Sequence, residues 1–477
     1  MNRHIRQLMS VAILGTIFTV SAPVHAESLW SDPLRTMGDV SGNPARMPAT
    51  IDSCGLAAQL RRPLTLLDAV ERALCGNPQT RQAWANVKVQ AATVGVSRAA
   101  YLPTLTAGGT WSKANNHTTY PDFPQADSTL KANSSDVNLN LSWVLYDFGL
   151  RAANLENARQ LLNAANATQD DTLQTVFLST VQSFYDAQAG QALLAATTEA
   201  EQAAAESFKA SEAKYLAGAG TLADKLQAQT SYAQASLKRA QAAGDLQNAL
   251  GSLAIVMGLR PNTPLTLAVL GDAADAPLLQ QAVDDLIAET VRTHPKILAA
   301  QAQLKAAQAQ IDASRAEGRP TLSLFATGDR SDTPITQVSS QQTITSRSIG
   351  LRLNIPLTDG FSTKYKVRGA EAQAESKEAE LANVEQQVML EVWKSNQALR
   401  TEAENLRSTD ILLRSARQSF DVAKGRYKAG VGNILELLKA QSDLASAQQQ
   451  RILSLTNWQT ARLRLAASLG RLRTDGI

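Results

Sequence analysis

The chain has 477 residues, a formal charge of +3, 44% hydrophobic but only 5% aromatic residues, and two cysteines. Near-neutrality leaves no electrostatic footprint for nucleic acid. So few aromatics are thin for a compact core but ordinary for long helices packed through small residues. At ~150 residues per domain the length would allow about three domains, but the repeats described below argue for one elongated unit.

Residues 1–26 read as a secretory signal. Arg3 and Arg6 precede an apolar run from Leu8 to Val20, and Val24-His25-Ala26 offers a small-residue cleavage site. The run is too short to span a membrane, and Glu27 stands where a lipid-bearing cysteine would. Export puts Cys54 and Cys75 in an oxidising compartment. There they form either a disulfide tying the N-terminal arm to the first helix or two buried thiols, structural in both cases. Residues 27–63, with Pro33, Pro44, Pro48 and Pro63, read as that arm.

A first unit covers residues 64–258. Thr65 is a candidate N-cap for a helix running toward Tyr101, broken once at Gly76-Asn77-Pro78 and ended by Pro103. A short strand-like piece, Leu105 to Trp111, leads into the polar stretch Ser112 to Ser135. That stretch reads as a loop far longer than the ~2–5 residues of a usual hairpin connection. Val137 to Leu145 alternates apolar and polar with period two, so one face is oily and the other wet. The corner Tyr146-Asp-Phe-Gly149 opens a proline-free helix that runs to Leu216. At Tyr215-Leu-Ala-Gly-Ala-Gly-Thr-Leu-Ala-Asp-Lys-Leu-Gln-Ala-Gln229 the glycines stop that helix and Thr221 restarts it as an N-cap. The return runs to about Gly258, and residues 259–283 read as a linker.

A second unit covers 284–470, with a short tail at 471–477. Asp285…His294-Pro295 matches Asp68…Asn77-Pro78 at an offset of 217. Ile349 to Leu357 repeats the alternating strand and Thr358-Asp-Gly-Phe361 the corner. Beyond them Phe208, Tyr215 and Gly258 recur as Phe420, Tyr427 and Gly470 at an offset of 212. The second hairpin is Tyr427-Lys-Ala-Gly-Val-Gly-Asn-Ile-Leu-Glu-Leu-Leu-Lys-Ala-Gln441. Offsets this constant mean an internal duplication.

After the signal no segment has the ~18–20 apolar residues of a spanning helix. The alternating segments have the patterning of membrane barrel strands. Asn138, Asn140, Arg352 and Asn354 stand on the wet face, Val137, Leu139, Leu141 and Trp143 on the oily one. Trp111, Trp143, Tyr146 and Phe361 lie near strand ends, where barrel-interface aromatics belong. A bilayer tolerates strands only in a closed sheet. Four strands are half of the ~8 that the smallest bacterial barrels use, so several chains must share one barrel. The alternative is a soluble four-stranded sheet.

The duplicated plan, the Tyr-x-x-Gly-x-Gly-x-x-x-Asp/Glu tips and the Leu-Tyr-Asp-Phe-Gly-Leu-Arg corner resemble the TolC-type outer-membrane efflux family over residues 64–470. The resemblance implies a mainly α fold with a membrane β-barrel: a homotrimer with a twelve-stranded barrel and a long helical periplasmic tunnel. Such a duct meets a periplasmic adaptor protein and an inner-membrane ABC or proton-driven pump. It also implies that Glu436 stands at a constricting acidic ring and Asp224 at a link between neighbouring hairpins. Lys439 falls where some relatives carry a second acid, and Gly432 where some carry an arginine. Glu436 and Lys439, about one turn apart, are in reach of pairing. Gly218, Gly220, Leu222, Gly430, Gly432 and Ile434 would form the adaptor-docking tips. The Ala-Leu-Cys75-Gly-Asn-Pro-Gln-Thr-Arg-x-Ala-Trp84 run resembles the cyclolysin-secretion branch and so points to protein export, with small-molecule efflux as the alternative.

No enzyme, cofactor or metal site is expected. Asp147-Phe-Gly149 lacks every other kinase signature, Gly218-Ala-Gly-Thr-Leu-Ala223 follows a helix and not a strand, and His117 and His294 stand alone. A soluble adaptor would carry one hairpin and flanking β domains, and a cell-surface helical scaffold would have no use for membrane-patterned strands.

Overall fold

The computed structural model describes residues 32–40, 63–268, 283–335 and 340–470. The signal, Cys54, most of the arm and linker, and the tail lie outside them. One plan appears twice. The first copy is α1 (Leu66–Gly76), α2 (Pro78–Ala99), β1 (Thr104–Thr118), β2 (Ser128–Tyr146), α3 (Leu150–Leu216) and α4 (Leu222–Val256). The second is α5 (Val283–Thr293), α6 (Pro295–Glu317), β3 (Thr321–Ile335), β4 (Ser340–Asn354), α7 (Ser362–Lys428) and α8 (Ile434–Ser468). The two long helices have 67 residues each and the two return helices 35 each. At 1.5 Å per residue, α3 and α7 are about 100 Å long, several times the thickness of a bilayer.

Local chemistry sets the helix ends. Thr65 and Asp68 close a capping box at α1, and Cys75 near the end of α1 carries no free thiol. Asn77 and His294 cap α2 and α6 in the same way, each side chain accepting from the backbone N–H two residues on, with proline next in line. Where α1 ends, the chain is pressed against the end of α4. A Cβ on Gly258, which has φ +74°, would sit 2.4 Å from the Gly76 carbonyl oxygen, so both glycines are required by close approach.

His294 departs from its counterpart Asn77 in being titratable. It is buried, and burial first, then Lys296, lower its pKa to about 4. It therefore stays neutral and its Nδ1 can accept from the Lys296 N–H. Between pH 6.5 and 4 the unfolded chain takes up a proton that the folded one refuses, so stability falls as pH drops through that window. The expected loss is about 3 kcal/mol per chain at most. His294→Asn keeps the cap and removes the proton, so the protection factors of the amides in the first turn of α6, taken relative to intrinsic exchange at each pH, should fall from pH 7 to pH 4.5 in the parent and not in the variant.

The strands form one antiparallel sheet in the order β1-β2-β3-β4. Most of the polar stretch expected as a loop is strand: β1 runs to Thr118 and β2 begins at Ser128. The pairing register divides the faces. Leu105, Ala107 and Trp111 lie beside Leu141, Leu139 and Ser135, with Ala326, Leu324, Ile349 and Leu351 continuing the same face across β3 and β4. Thr106, Gly108, Asn138, Asn140, Thr327 and Ser348 hold the other. The apolar face gives way to a polar one at a different point on each strand: after Trp111 on β1, where Lys113 and Asn115 follow, after Val137 on β2, and from Arg330 and Arg347 on β3 and β4, which pair with Val137 and Gly328. A tilted strand crosses a bilayer in ~9–11 residues, so the two-sided polar ends of these 15- to 19-residue strands extend past the hydrocarbon.

The helices form a single wall. Near the sheet the neighbours run α2, α3, α6, α7; toward the tips they run α4, α3, α8, α7. Alanines supply much of the buried surface, and larger side chains gather where short and long helices meet. One such cluster holds Val70, Phe177, Val181, Phe184 and Met257, and its counterpart in the second copy holds Leu286, Val392, Trp458 and Leu465.

Candidate functional site

Both tips are built by the same device. α3 ends in a Schellman turn in which Ala219 N–H donates to the Lys214 carbonyl (2.9 Å) and Gly218 N–H to that of Tyr215 (3.0 Å), with Gly218 at φ +70°. In the second tip Val431 and Gly432 N–H both donate to the Arg426 carbonyl, and Gly430 has φ +76°. Gly432 is demanded by space: a Cβ there would lie 2.8 Å from the Tyr427 nitrogen and 2.9 Å from the Arg426 carbonyl carbon. At Gly220 the corresponding approaches are 3.1–3.3 Å. Gly432→Ala should therefore loosen its turn more than Gly220→Ala does. We expect exchange of the Val431 amide to quicken at least ~tenfold, about 1.4 kcal/mol, in Gly432→Ala, and exchange of the equivalent Ala219 amide to change less in Gly220→Ala.

The acids sit in different settings. Asp224 is the third residue of α4 and closes a capping box with Thr221, each accepting from the other's backbone N–H (3.1 and 3.3 Å). Glu436 and Lys439 do not pair with each other. Glu436 faces Arg426 across the turn (3.4 Å), and Lys439 pairs with Asp443 one turn further along α8. Arg426 and Asp443 thus join the charged set. Asp443, at i+4 from Lys439, was readable by helix spacing; Arg426 was not, since it lies on the opposite arm of the hairpin.

The apolar tip residues divide unevenly. Ile434 is 3% exposed, covered together with Leu437, Leu438 and Tyr427, so it is not offered to a partner as expected. The second tip is also tied to the first. Ser211 Oγ lies 3.4 Å from the Tyr427 hydroxyl, Lys214 Nζ sits 3.8 Å over the Tyr427 ring, and Ser207 Oγ reaches Gln441. Leu222, the counterpart of Ile434, is 51% exposed, and Leu216, Val431 and Leu435 are exposed too.

One face of the wall can be followed from tip to sheet. Glu436, Asp443, Gln450, Asn457 and Arg464 recur every seven residues on α8 and all are exposed. Arg464 opens into a cavity of about 330 Å³ with Asp171, His294, Lys296, Glu380 and Glu391. Burial raises the Asp171 pKa and Lys296, 3.9 Å away, partly offsets it.

At the other end the aromatics form two levels. Trp111 stands at the outer limit of the apolar face. Trp143, whose Nε1 donates to the Tyr101 carbonyl (2.9 Å), Tyr146, packed edge-on to Phe148 (4.7 Å), and Phe361 stand at the helix end. Trp111 thus stands alone at the outer level, and the other three aromatics share the level of the helix end.

The family model described as outer membrane efflux protein matches residues 69–259 and 286–471. The chain belongs to the outer membrane efflux protein family. It is 32% identical to Protein CyaE of Bordetella pertussis, covering 100% of this chain and 97% of that one. It is 24% identical to the proteases secretion protein PrtF of Dickeya chrysanthemi, over 86% of this chain and 89% of that one. The crystal structure of the Campylobacter jejuni CmeC outer membrane channel shares the fold, with a TM-score of 0.75 at 16% identity over 90% of this chain and 93% of that one. The protein is accordingly an outer-membrane efflux or secretion channel, with its helices forming the periplasmic part. Its family and fold are those of channels, not enzymes.

Proposed function

We propose that three copies of the chain close into one duct, a twelve-stranded barrel continued by a helical tunnel, that serves as the exit of a one-step protein export system. The observation that carries the closure is the contact between the two copies of the plan. Within one chain β2 pairs with β3, α3 packs on α6, and α3 packs on α8. Applied once more, the same relation pairs β4 with β1 of a neighbour and seats α7 on the neighbour's α2 and α4. Every open edge then has a partner, as a barrel in hydrocarbon requires.

A duct that ends at shut tips needs an adaptor to open it and an inner-membrane pump, ABC or proton-driven, to load it. Exposed Leu216, Val431 and Leu435, with Gly218 and Gly430 shaping the turns, are the surface left for the adaptor. Glu436, Arg426, Lys439 and Asp443 supply the charges around the gate, while Asp224 serves it by holding the start of α4. Protein cargo is favoured by the likeness to CyaE and to a relative whose name specifies protease secretion. Small-molecule efflux is the second reading, favoured by the family's description.

Deleting the gene and assaying both the culture medium and drug sensitivity tests the reading. A protein exporter loses a secreted polypeptide from the medium and leaves sensitivity unchanged. Raised sensitivity with an intact secretome would assign the duct to small molecules.

A further inference from the structure

A cavity of about 860 Å³ near the sheet is lined jointly by α2, α3, α6 and α7. These four helices follow one another in the wall, and only the concave side of a curved wall presents its first and last members to one space. The cavity shares Thr168, Asp171, Thr175 and Gln303 with the smaller one below it. That one receives Arg464 from the same seven-residue row as Glu436 and Asp443. One continuous inner face therefore runs from tip to barrel.

The smaller cavity is charged, with Asp171, Lys296, Glu380, Glu391 and Arg464, whereas the upper one is lined mainly by amides. Gln82, Asn86 and Gln90 step along α2 at four-residue intervals, Gln310 projects from α6, and Gln373 from α7. None of these five amides takes part in a side-chain hydrogen bond found among the described residues, and four of them are exposed, with Gln90 half-buried. Some charges of the same helices lie elsewhere: Arg81, Lys305 and Glu375 are exposed but do not line the cavity. Among the described residues, Asp171 and Lys377 bring charge into it.

We propose that this amide-lined wall is the surface along which an unfolded polypeptide slides. Each carboxamide offers two donors and two acceptor lone pairs, the complement of a passing backbone's N–H and C=O groups. An amide can replace the water on an extended chain without trapping its charged or apolar side chains. Charged walls would hold side chains of opposite sign, and hydrocarbon would hold apolar ones. The proposal rests on the reading of the duct as a protein exporter and names the residues that its cargo touches.

The test uses the full-length oligomer in a planar bilayer, with a disordered, lysine-containing Gly/Ser-rich polypeptide of about 100 residues added on the barrel side. The upper wall is reached from there without passing the tips. A photo-crosslinking residue is placed singly at 82, 310 or 373, and as controls at 81, 305 or 375. Adducts at the first three during current blockades, and none at the controls, are expected. The triple variant Gln82→Glu/Gln310→Glu/Gln373→Glu should lengthen blockades by this basic probe at least ~tenfold, as a ring of charge does in a channel. Blockades that leave no adduct at 82, 310 and 373, or dwell times unmoved by the triple variant, overturn the sliding surface while leaving a protein duct in place. A pore that conducts ions but is never blocked by the polypeptide overturns the protein-export reading itself, and the sliding surface with it.

Discussion

Arg151→Ala is expected to uncouple the first strand pair from the helix that follows it, at a cost of about 3–5 kcal/mol. Arg151 and Asp147 form an ion pair (2.7 Å) with both side chains largely buried at the corner between β2 and α3. The guanidinium also donates to the carbonyls of Val144 (2.7 Å) and Leu145 (3.3 Å) and lies 4.7 Å from the Tyr101 ring. Asp147 in turn accepts from the Arg151 and Gly149 N–H groups, which start α3. Removing the cation leaves a buried carboxylate facing carbonyl oxygens, so the penalty comes from the partners left behind more than from the pair that is lost. The second copy supplies the control. There Thr363 stands in place of Arg151, and Asp359, which accepts from the Thr363 N–H (2.7 Å), is exposed. Asp359→Asn should leave the thermal midpoint of the detergent-solubilised protein nearly unmoved, while Arg151→Ala lowers it by several degrees and exposes the corner to protease. Equal shifts in the two variants would show that the buried pair has no special part.

Much of this architecture is readable before any coordinates. Proline-free runs bounded by Thr65, Thr221 and Asn433 mark the helices, and glycine pairs mark their reversals. The duplication is visible as a constant offset, because each copy solves the same local problems with the same residues. What escapes reading is set by groups distant in sequence. Alternation reveals a strand only where one face is dry, so Val137–Leu145 announces itself. Lys113, Asn115 and His117 continue the same strand unnoticed, because beyond Trp111 both faces are wet.

The same limit governs the site. Spacing along one helix suggests that Glu436 and Lys439 meet, yet each finds a better-placed partner, Arg426 across the turn and Asp443 one turn on. Ile434 reads as an exposed tip residue because its place beside the turn does not show that Tyr427, Leu437 and Leu438 will gather around it. The amides of the inner wall are plain in the sequence as types. Their common face is not, since it depends on how four helices are phased against one another.

The dependence of burial on the other copy yields the sharpest prediction, that Leu226→Glu will abolish assembly. Leu226 corresponds to Leu438 at the offset of 212. Leu438 is 8% exposed, with α3 of its own chain lying on α8, whereas Leu226 is 51% exposed because nothing among the described residues lies on that face of α4. In a closed ring α7 of a neighbour takes the role of α3. Burying a leucine there contributes about 1.5–3 kcal/mol at each interface, and an unpaired carboxylate in its place costs several kcal/mol more. Because each 1.4 kcal/mol is a factor of ten, three such interfaces leave no stable oligomer at micromolar concentration. Leu237→Glu discriminates this from a general effect of added charge. Leu237 is 59% exposed, and its counterpart Gln449 stays exposed even where the two copies meet. It should remain in solvent and the variant should assemble normally. Analytical ultracentrifugation in mild detergent would read trimer for the parent and Leu237→Glu, and monomer for Leu226→Glu. A trimeric Leu226→Glu would mean that neighbouring chains do not repeat the contact that joins the two halves of one.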